Sequence, residues 1–326
     1  MTVTIKTIEA AAQRLQGVVI ETPLLSNRYL NERLKAKVFI KPECLQHIGA
    51  FKFRGAYNCL SQLSQGQREL GCVAFSSGNH AQGIALAAKL LGMRAVIVMP
   101  SDAPQLKLTG TQCLGATVRQ YDRATESRED LAAQIATETG ATLVPAFDDW
   151  DVMSGQGTVG LELVHQLQQQ GLTPDLVLVP CGGGGLLAGT STAVKALVPT
   201  TEVYGVEQEN FDDHFLSKQA GERVKIAGDE PTLCDALMAT IPGELTWSIN
   251  SKTVNEFLVV GEEEIKMAIA YAFRYLKLVV EPGGAVALAA LLSGKVDVTG
   301  KSVCIVLSGG NIDKETFNSC IERYPD

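Results

Sequence analysis

No two of the eight cysteines stand at CxxC or CxxxxC spacing, which excludes a zinc-ribbon or zinc-finger reading. Several of them, as in "GCVAF" and "SVCIVL", lie in apolar runs where cysteine acts as a small hydrophobe. An excess of positive charge is also missing: 28 Lys and Arg face 36 Asp and Glu, a formal net charge of −8. With no basic stripe either, a nucleic-acid partner is not expected. No apolar run approaches the roughly 18 residues of a membrane span. The first residues, "MTVTIKTIEAAAQRLQG", carry a glutamate and no long apolar stretch, so no signal peptide is expected. Reduced thiols in the cytoplasm are therefore the expectation. Repeats, low-complexity tracts and Pro/Ser-rich linkers are absent too, so composition marks no domain boundary.

What is present is ordinary for a soluble globular chain: 326 residues, 46% apolar and 20% charged, enough for roughly two domains. Short apolar runs alternate with longer segments of helical period. "VAFS" precedes "NHAQGIALAAKLLG", "AVIVMP" precedes "PQLKLTGTQCLG", and "DLVLVP" precedes "GLLAGTSTAVKAL". Later "EFLVV" precedes "EEEIKMAIAYAFRYLK", and "SVCIVLS" precedes a last helix. Continuous apolar strands separated by helices predict an α/β fold with parallel sheets covered on both faces. Gly/Asp-rich turns near residues 65–71 and 146–157 are the candidate boundaries. "SSGNH" offers Ser and Asn as helix caps, and "GEEEIK" places acids in a first turn, where the helix dipole favours them.

Four stretches carry chemistry. "QHIGAFKFRGAYN" (46–58) sets Lys52 between Phe51 and Phe53. Two readings fit it: an ordinary helix start, or an amine held among aromatics with a lowered pKa and nucleophilic character. "VPCGGGGLLAG" (179–189) follows a strand and opens a helix. It reads as a tight crossover or as a cradle of backbone N–H groups for a phosphate. It is neither a GxGxxG dinucleotide turn nor a Walker loop. "SSGNHAQG" (76–83) repeats the layout with Ser76, Ser77 and Asn79, suited to a carboxylate or to simple capping. "VLSGGNID" (306–313) is a third strand end, with Ser308 as donor or acceptor. Ligands of open α/β sheets bind outside the carboxyl ends of strands. A phosphate cradle, one pocketed lysine, an amide and a hydroxyl together suit pyridoxal phosphate.

The chain resembles the threonine dehydratase and serine racemase family, the fold-type-II pyridoxal-phosphate enzymes. The match runs from "TPL" at 22–24 to "SGGNID" and rests on "GAFKFRGA", "SSGNHAQG", the "DAP…K…GA" segment at 102–116, "GGGGLLAG", "VEPGGA" and "LSGGN". The resemblance implies two open, twisted, mostly parallel sheets flanked by helices. It implies a large domain of residues 1–61 and 150–326 and a small mobile domain of 71–148. Lys52 would be the Schiff-base lysine, Phe51 would pack on the pyridine ring, and Asn79 would bond the phenolic oxygen. Gly182, Gly183, Gly184 and Gly185, with the Leu186 amide, would hold the phosphate, and Ser308 would meet the ring nitrogen. Ser76, Ser77, Gly78, Asn79, His80 and Arg128 would face the substrate. "VEQENFDD" (206–213) resembles the family's cation loop, in which the Glu207 and Asp213 carboxylates and the Phe211 carbonyl would hold Mg²⁺, or Ca²⁺ or Mn²⁺. A homodimer is likewise implied.

A neutral serine at the ring nitrogen makes the ring a shallower electron sink than a carboxylate would. That favours loss of a β-leaving group close in time to α-proton removal. The expected function is an ammonia-lyase converting L-serine- or L-threonine-type β-hydroxy amino acids to 2-oxo acids and ammonia. Serine racemase with side dehydratase activity, with Ser77 as a second-face catalytic group, and 3-hydroxyaspartate dehydratase are the alternatives. His80 after the Asn points to hydroxy-amino-acid substrates, and Ser77 is the residue seen in serine racemases. Two departures concern the pocket: Ala236 stands where the family commonly has Gly, and Ala50 where many relatives have Ser. No regulatory domain is expected after the catalytic part.

Overall fold

The computed structural model describes residues 2–103 and 105–324. Ten strands occur among them: β1 Leu25–Ser26, β2 Lys37–Pro42, β3 Cys72–Phe75, β4 Ala95–Pro100, β5 Thr117–Tyr121, β6 Thr142–Leu143, β7 Leu176–Pro180, β8 Glu202–Gln208, β9 Glu256–Val260 and β10 Ser302–Leu307. They form two sheets, one in the order β1-β2-β10-β7-β8-β9 and one in the order β5-β4-β3-β6. Every pairing is parallel except β1 with β2.

The strands that read as unbroken apolar runs are buried on both faces. In β10, Val303, Ile305 and Leu307 enter one core while Cys304 and Val306 enter another. In β7, Leu176 and Leu178 share the first core, and Val177 and Val179 the second. This two-residue alternation is what a parallel sheet between two helical layers requires. The Pro282–Leu292 helix is buried at every position, so its sequence is apolar all round.

Three sequence expectations need correction. Residues 65–71 are mostly helix, Gln65–Leu70, entered through the Ser64 cap. The segment 146–157 is no turn beyond its start, because a 19-residue helix, Trp150–Gln168, begins inside it. Its glycines serve close packing: a Cβ on Gly155 would lie 2.7 Å from the Arg54 carbonyl oxygen, and one on Gly189, in the facing helix, 2.3 Å from the Met153 carbonyl oxygen. In "SSGNH" the cap residue of the Asn79–Leu90 helix is Gly78, without a side-chain cap. Ser76 Oγ accepts from Gly78 N–H at 3.1 Å, and the Asn79 amide is used elsewhere. The acids of "GEEEIK" do sit in a first turn, where Glu264 Oε2 accepts from Gly261 N–H at 2.8 Å. No helix among the described residues is long and apolar enough to cross a membrane.

Candidate active site

The carboxyl end of β10 and the turn after β2 are drawn together by backbone pairing. Phe51 N–H donates to the Ser308 carbonyl at 3.1 Å, Gly310 N–H to the Gly49 carbonyl at 2.8 Å, and Ala50 forms a bridge with Gly309. The "IGAFK" and "LSGGN" motifs are thereby sewn side by side, which sets Lys52 at the start of the Lys52–Ser61 helix beside the end of β10. Ala50 is fully buried in this seam.

Lys52 Nζ donates to the Ala146 carbonyl at 2.8 Å and lies 5.1 Å from the Phe51 ring centre. Desolvation pulls the amine down to about 8, only partly offset by Glu281. Lys52 begins a helix, as the first reading has it, and its amine is also desolvated beside the Phe51 ring, as the second requires.

Glu281, the acid of "VEPGGA", is a site residue that motif reading passed over. It is buried, and Asn79 Nδ2 donates to its Oε1 at 2.6 Å while Asn311 N–H donates to Oε2 at 3.2 Å. Asn311 Nδ2 in turn donates to Asn79 Oδ1 at 2.7 Å. Burial first, then the neighbouring Asp235 charge, raise the Glu281 carboxyl to about 7. A signal was available: an acid directly before the proline that opens a wholly apolar helix. A Cβ on Gly309 would sit 2.1 Å from Glu281 Oε1, so this strand end must be glycine.

Gly184 has a left-handed backbone, φ +89°, and caps the Gly185–Leu197 helix. Cβ atoms would meet the Phe147 ring at 2.4 Å from Gly183, and His214 Nε2 and Asn250 Nδ2 at 2.6 Å from Gly184. Packing alone therefore demands glycine there. Yet the carbonyls of Gly183 and Gly184 accept from Thr246 Oγ1 at 2.8 Å and Asn250 Nδ2 at 3.2 Å. The amides of Gly182, Gly183 and Gly184 donate to no acceptor among the described residues. Free N–H groups leading into a helix N-terminus fit a phosphate. With the desolvated amine of Lys52 held on the Ala146 carbonyl, next to the Phe147 that faces this run, and its neighbour Phe51 paired to Ser308, the residues present fit pyridoxal phosphate.

His80 is buried beside these groups. Its Nε2 lies 3.1 Å from the Val144 carbonyl, which makes it the N–H donor, and Nδ1 has no partner among the described residues. Burial, then Lys52, lower its pKa to about 3, so the ring is neutral. Ser77 is partly exposed at the same turn, and Ser308 is buried. Arg128 is farther out, half-exposed and 2.7 Å from Glu129, with its guanidinium 5.5 Å from the Phe75 ring centre at the end of β3. Ala236 is exposed, and a Cβ on Gly283 of "VEPGGA" would lie 3.2 Å from its methyl.

The cation-loop residues are buried together. Glu207 accepts from His214 N–H at 3.0 Å and Phe215 N–H at 2.7 Å, while both Asp213 oxygens lack a partner among the described residues. Phe211, buried, pairs back on Gln208.

Residues 15–309 match the family described as pyridoxal-phosphate dependent enzyme. The L-threo-3-hydroxyaspartate ammonia-lyase of Pseudomonas sp. is 45% identical over 313 residues, 96% of each chain. The L-threonine ammonia-lyase of Thermotoga maritima is 42% identical over 98% of this chain and 79% of its own. The structure of maize serine racemase superposes with a TM-score of 0.92 at 36% identity, covering 100% of this chain and 98% of that one. With the family match running from residue 15 through the lysine, serine and glycine turns to Gly309, this chain belongs to the pyridoxal-phosphate dependent enzyme family.

Proposed function

We propose that the protein is a pyridoxal-phosphate-dependent ammonia-lyase that converts an L-β-hydroxy amino acid to a 2-oxo acid and ammonia. The observation that carries the reading is the desolvated Lys52 amine, bonded to the Ala146 carbonyl beside the Phe51 ring, with the Phe51 amide paired to Ser308 and Phe147 packed close against Gly183. When bound, the cofactor supplies an electron-accepting ring that stabilises charge left on the substrate Cα. Lys52 would link the cofactor, and its Nζ would also be the group that takes the substrate α-proton. The Ala146 carbonyl accepts one of its N–H bonds and leaves the nitrogen lone pair free. Phe51 and Ser308 would hold the ring face and ring nitrogen, and Asn79, steadied by Glu281 and Asn311, the phenolic oxygen. The four glycines and the Leu186 amide would hold the phosphate. Ser76, Ser77, Gly78 and Asn79 would receive the substrate carboxylate. His80, neutral with Nδ1 bare, would accept a hydrogen bond from the substrate rather than pair with an anion. Arg128 would serve the outer edge of the same turn.

Within this class, L-serine and L-threonine are the substrates expected from the motifs. L-threo-3-hydroxyaspartate is a second reading, favoured by the 45% identical relative and by Lys107, whose charge, paired with Asp235, reaches Glu281. Racemisation would need a proton-handling group on the face opposite Lys52, and Ser77 is the hydroxyl at that turn. Ser77→Ala is expected to abolish any L-to-D interconversion of serine while L-serine dehydration falls by less than about tenfold, because a serine is a weak base. Equal loss of both, followed by chiral chromatography and ammonia release, would make Ser77 a positioning group only.

Residues 71–148 would form the small mobile domain, and 1–61 with 150–326 the large one; the four strands of the smaller sheet lie within Cys72–Leu143. Exposed Tyr29, Phe273, Tyr275 and Val279 support a homodimer. A cytoplasmic location accords with eight free thiols. Glu207, Phe211 and Asp213 would bind a divalent cation such as Mg²⁺, stabilising the fold by mass action. Chelation is expected to lower the melting temperature by several degrees, and added cation to restore it. A melting curve indifferent to chelator, with no ion detected by elemental analysis, would remove the cation.

A further inference from the structure

Four consecutive residues, Ala146 to Asp149, each hold a different part of the molecule around the site. They lie between β6 of the smaller sheet and the Trp150–Gln168 helix. The Ala146 carbonyl accepts from Lys52 Nζ, and Phe147 packs so closely on Gly183 and Gly185 that Cβ atoms there would lie 2.4 and 3.0 Å from it. Asp149 caps the helix that follows, accepting from Asp151 and Val152 N–H at 2.9 and 2.8 Å. Asp148 takes up a remote element. Its Oδ2 accepts from Glu244 N–H at 3.0 Å, and its Oδ1 from Leu245 and Thr246 N–H at 2.9 and 3.0 Å. These amides belong to the first turn of the Glu244–Thr253 helix, where no internal partner exists for them. The helix has no side-chain cap of its own, because its cap position is Gly243, where a Cβ would lie 2.3 Å from Asp148 Oδ1.

That helix in turn fixes the glycine run. Thr246, fully buried, donates from Oγ1 to the Gly183 carbonyl at 2.8 Å, nearer than the Gly243 carbonyl at 3.3 Å. One turn on, Asn250 Nδ2 donates to the Gly184 carbonyl at 3.2 Å. A trans peptide is planar, so its N–H points opposite to its carbonyl. Holding the Gly183 carbonyl on Thr246 therefore aims the Gly184 N–H, which has no acceptor among the described residues, away from the helix. With glycine on both sides, this peptide can turn over at little steric cost, so an outside hold decides which way it faces. We infer that Asp148 is a positioning residue of the phosphate cradle, a role that rests on the phosphate reading above. By capping the helix it fixes where Thr246 stands, and Thr246 fixes which way the Gly184 amide points. A carboxylate suits this place, because its charge complements the positive end of the helix dipole and its two oxygens take three N–H groups. The same segment carries the Ala146 carbonyl that holds Lys52, so one strap sets the amine and the cradle relative to each other.

The test uses the full chain, stripped of cofactor and reloaded with pyridoxal phosphate or with pyridoxal, which lacks the phosphate. Asp148→Ala is expected to weaken pyridoxal phosphate by about 3- to 30-fold, the size of a lost helix cap expressed as an equilibrium constant. Its affinity for pyridoxal should not change. Thr246→Val, which keeps the cap, should lose a similar factor, and the double variant no more than the larger single loss. The phosphorus resonance of the bound phosphate should move in both single variants, a signal that a merely structural cap leaves alone. Asp148→Asn, which keeps one acceptor oxygen, should recover most of the affinity. Ser64→Ala removes the cap of the separate Gln65–Leu70 helix and should lower stability without changing either affinity. Equal losses for the two ligands, or additive losses in the double variant, would overturn the inference. So would an unchanged preference for pyridoxal phosphate in Thr246→Val, which decides the matter even if Asp148→Ala does not fold. A wild-type enzyme that binds pyridoxal as tightly as pyridoxal phosphate would instead remove the phosphate reading itself, and the role of Asp148 with it.

Discussion

Replacing Lys52 with alanine is expected to lower kcat by at least about 10⁴-fold, because one amine serves as both cofactor link and base. Borohydride treatment of the wild-type holoenzyme should fix the cofactor on the peptide that carries Lys52. A label on another lysine, or appreciable turnover by Lys52→Ala, would contradict the assignment. The pH dependence has a definite sign. Burial disfavours the ammonium and brings the amine to about 8, so below that pH the base is protonated and the rate should rise through the region. Stability of the cofactor-free protein should follow the same group. An unfolded lysine titrates near 10.4 and the folded one near 8, so between these values the unfolded chain binds more protons. Stability from this residue therefore increases with pH across that window, and Lys52→Met should flatten the slope.

The second large effect lies two residues along the same helix. Arg54 is fully buried and uses its whole guanidinium. Nε and Nη2 donate to Glu43 at 2.7 and 2.9 Å, and Nη1 and Nη2 to Glu162 at 2.6 and 2.8 Å. Nη1 also reaches Thr158 Oγ1 at 3.1 Å, and Lys41 Nζ closes the network on Glu162 at 2.7 Å. Removing the guanidinium leaves Glu43, itself fully buried, without its main counter-charge. Arg54→Met is expected to cost about 3–5 kcal/mol of stability, read as a shift of the urea midpoint. Arg54→Lys should recover little, because an ammonium cannot supply the planar fork that two carboxylates share. A loss below about 1 kcal/mol would show that solvent or neighbouring groups relieve Glu43. Because Arg54 anchors the helix that begins at Lys52, a destabilised variant should also bind the cofactor less firmly.

The parts of this molecule that were legible in the sequence are those encoded locally. β3, β4, β7, β9 and β10 each appear as a short apolar run before a helical segment, and their glycine- and serine-rich ends mark the site. The two-residue strands β1 and β6 have no such signature, since pairing with a neighbour is all that defines them. Residues 146–157 misled because Gly155 and Gly157 resemble turn residues, yet they let helices approach within backbone contact. The partners of Glu281 and Arg54 were invisible for a related reason. Asn79 lies 202 positions from Glu281, and Glu162 lies 108 from Arg54, so only the folded topology brings them together. His214 escaped notice because a lone histidine at the start of a short helix, Asp213–Ala220, carries no pattern until its neighbours are placed.

The most direct measurement is product analysis of the purified holoenzyme with L-serine, L-threonine and L-threo-3-hydroxyaspartate supplied separately. Ammonia and a 2-oxo acid should appear in equal amounts from at least one of them, and neither should form with Lys52→Ala. A wild-type enzyme that carries its cofactor on Lys52 yet releases no ammonia from any of the three would contradict the account.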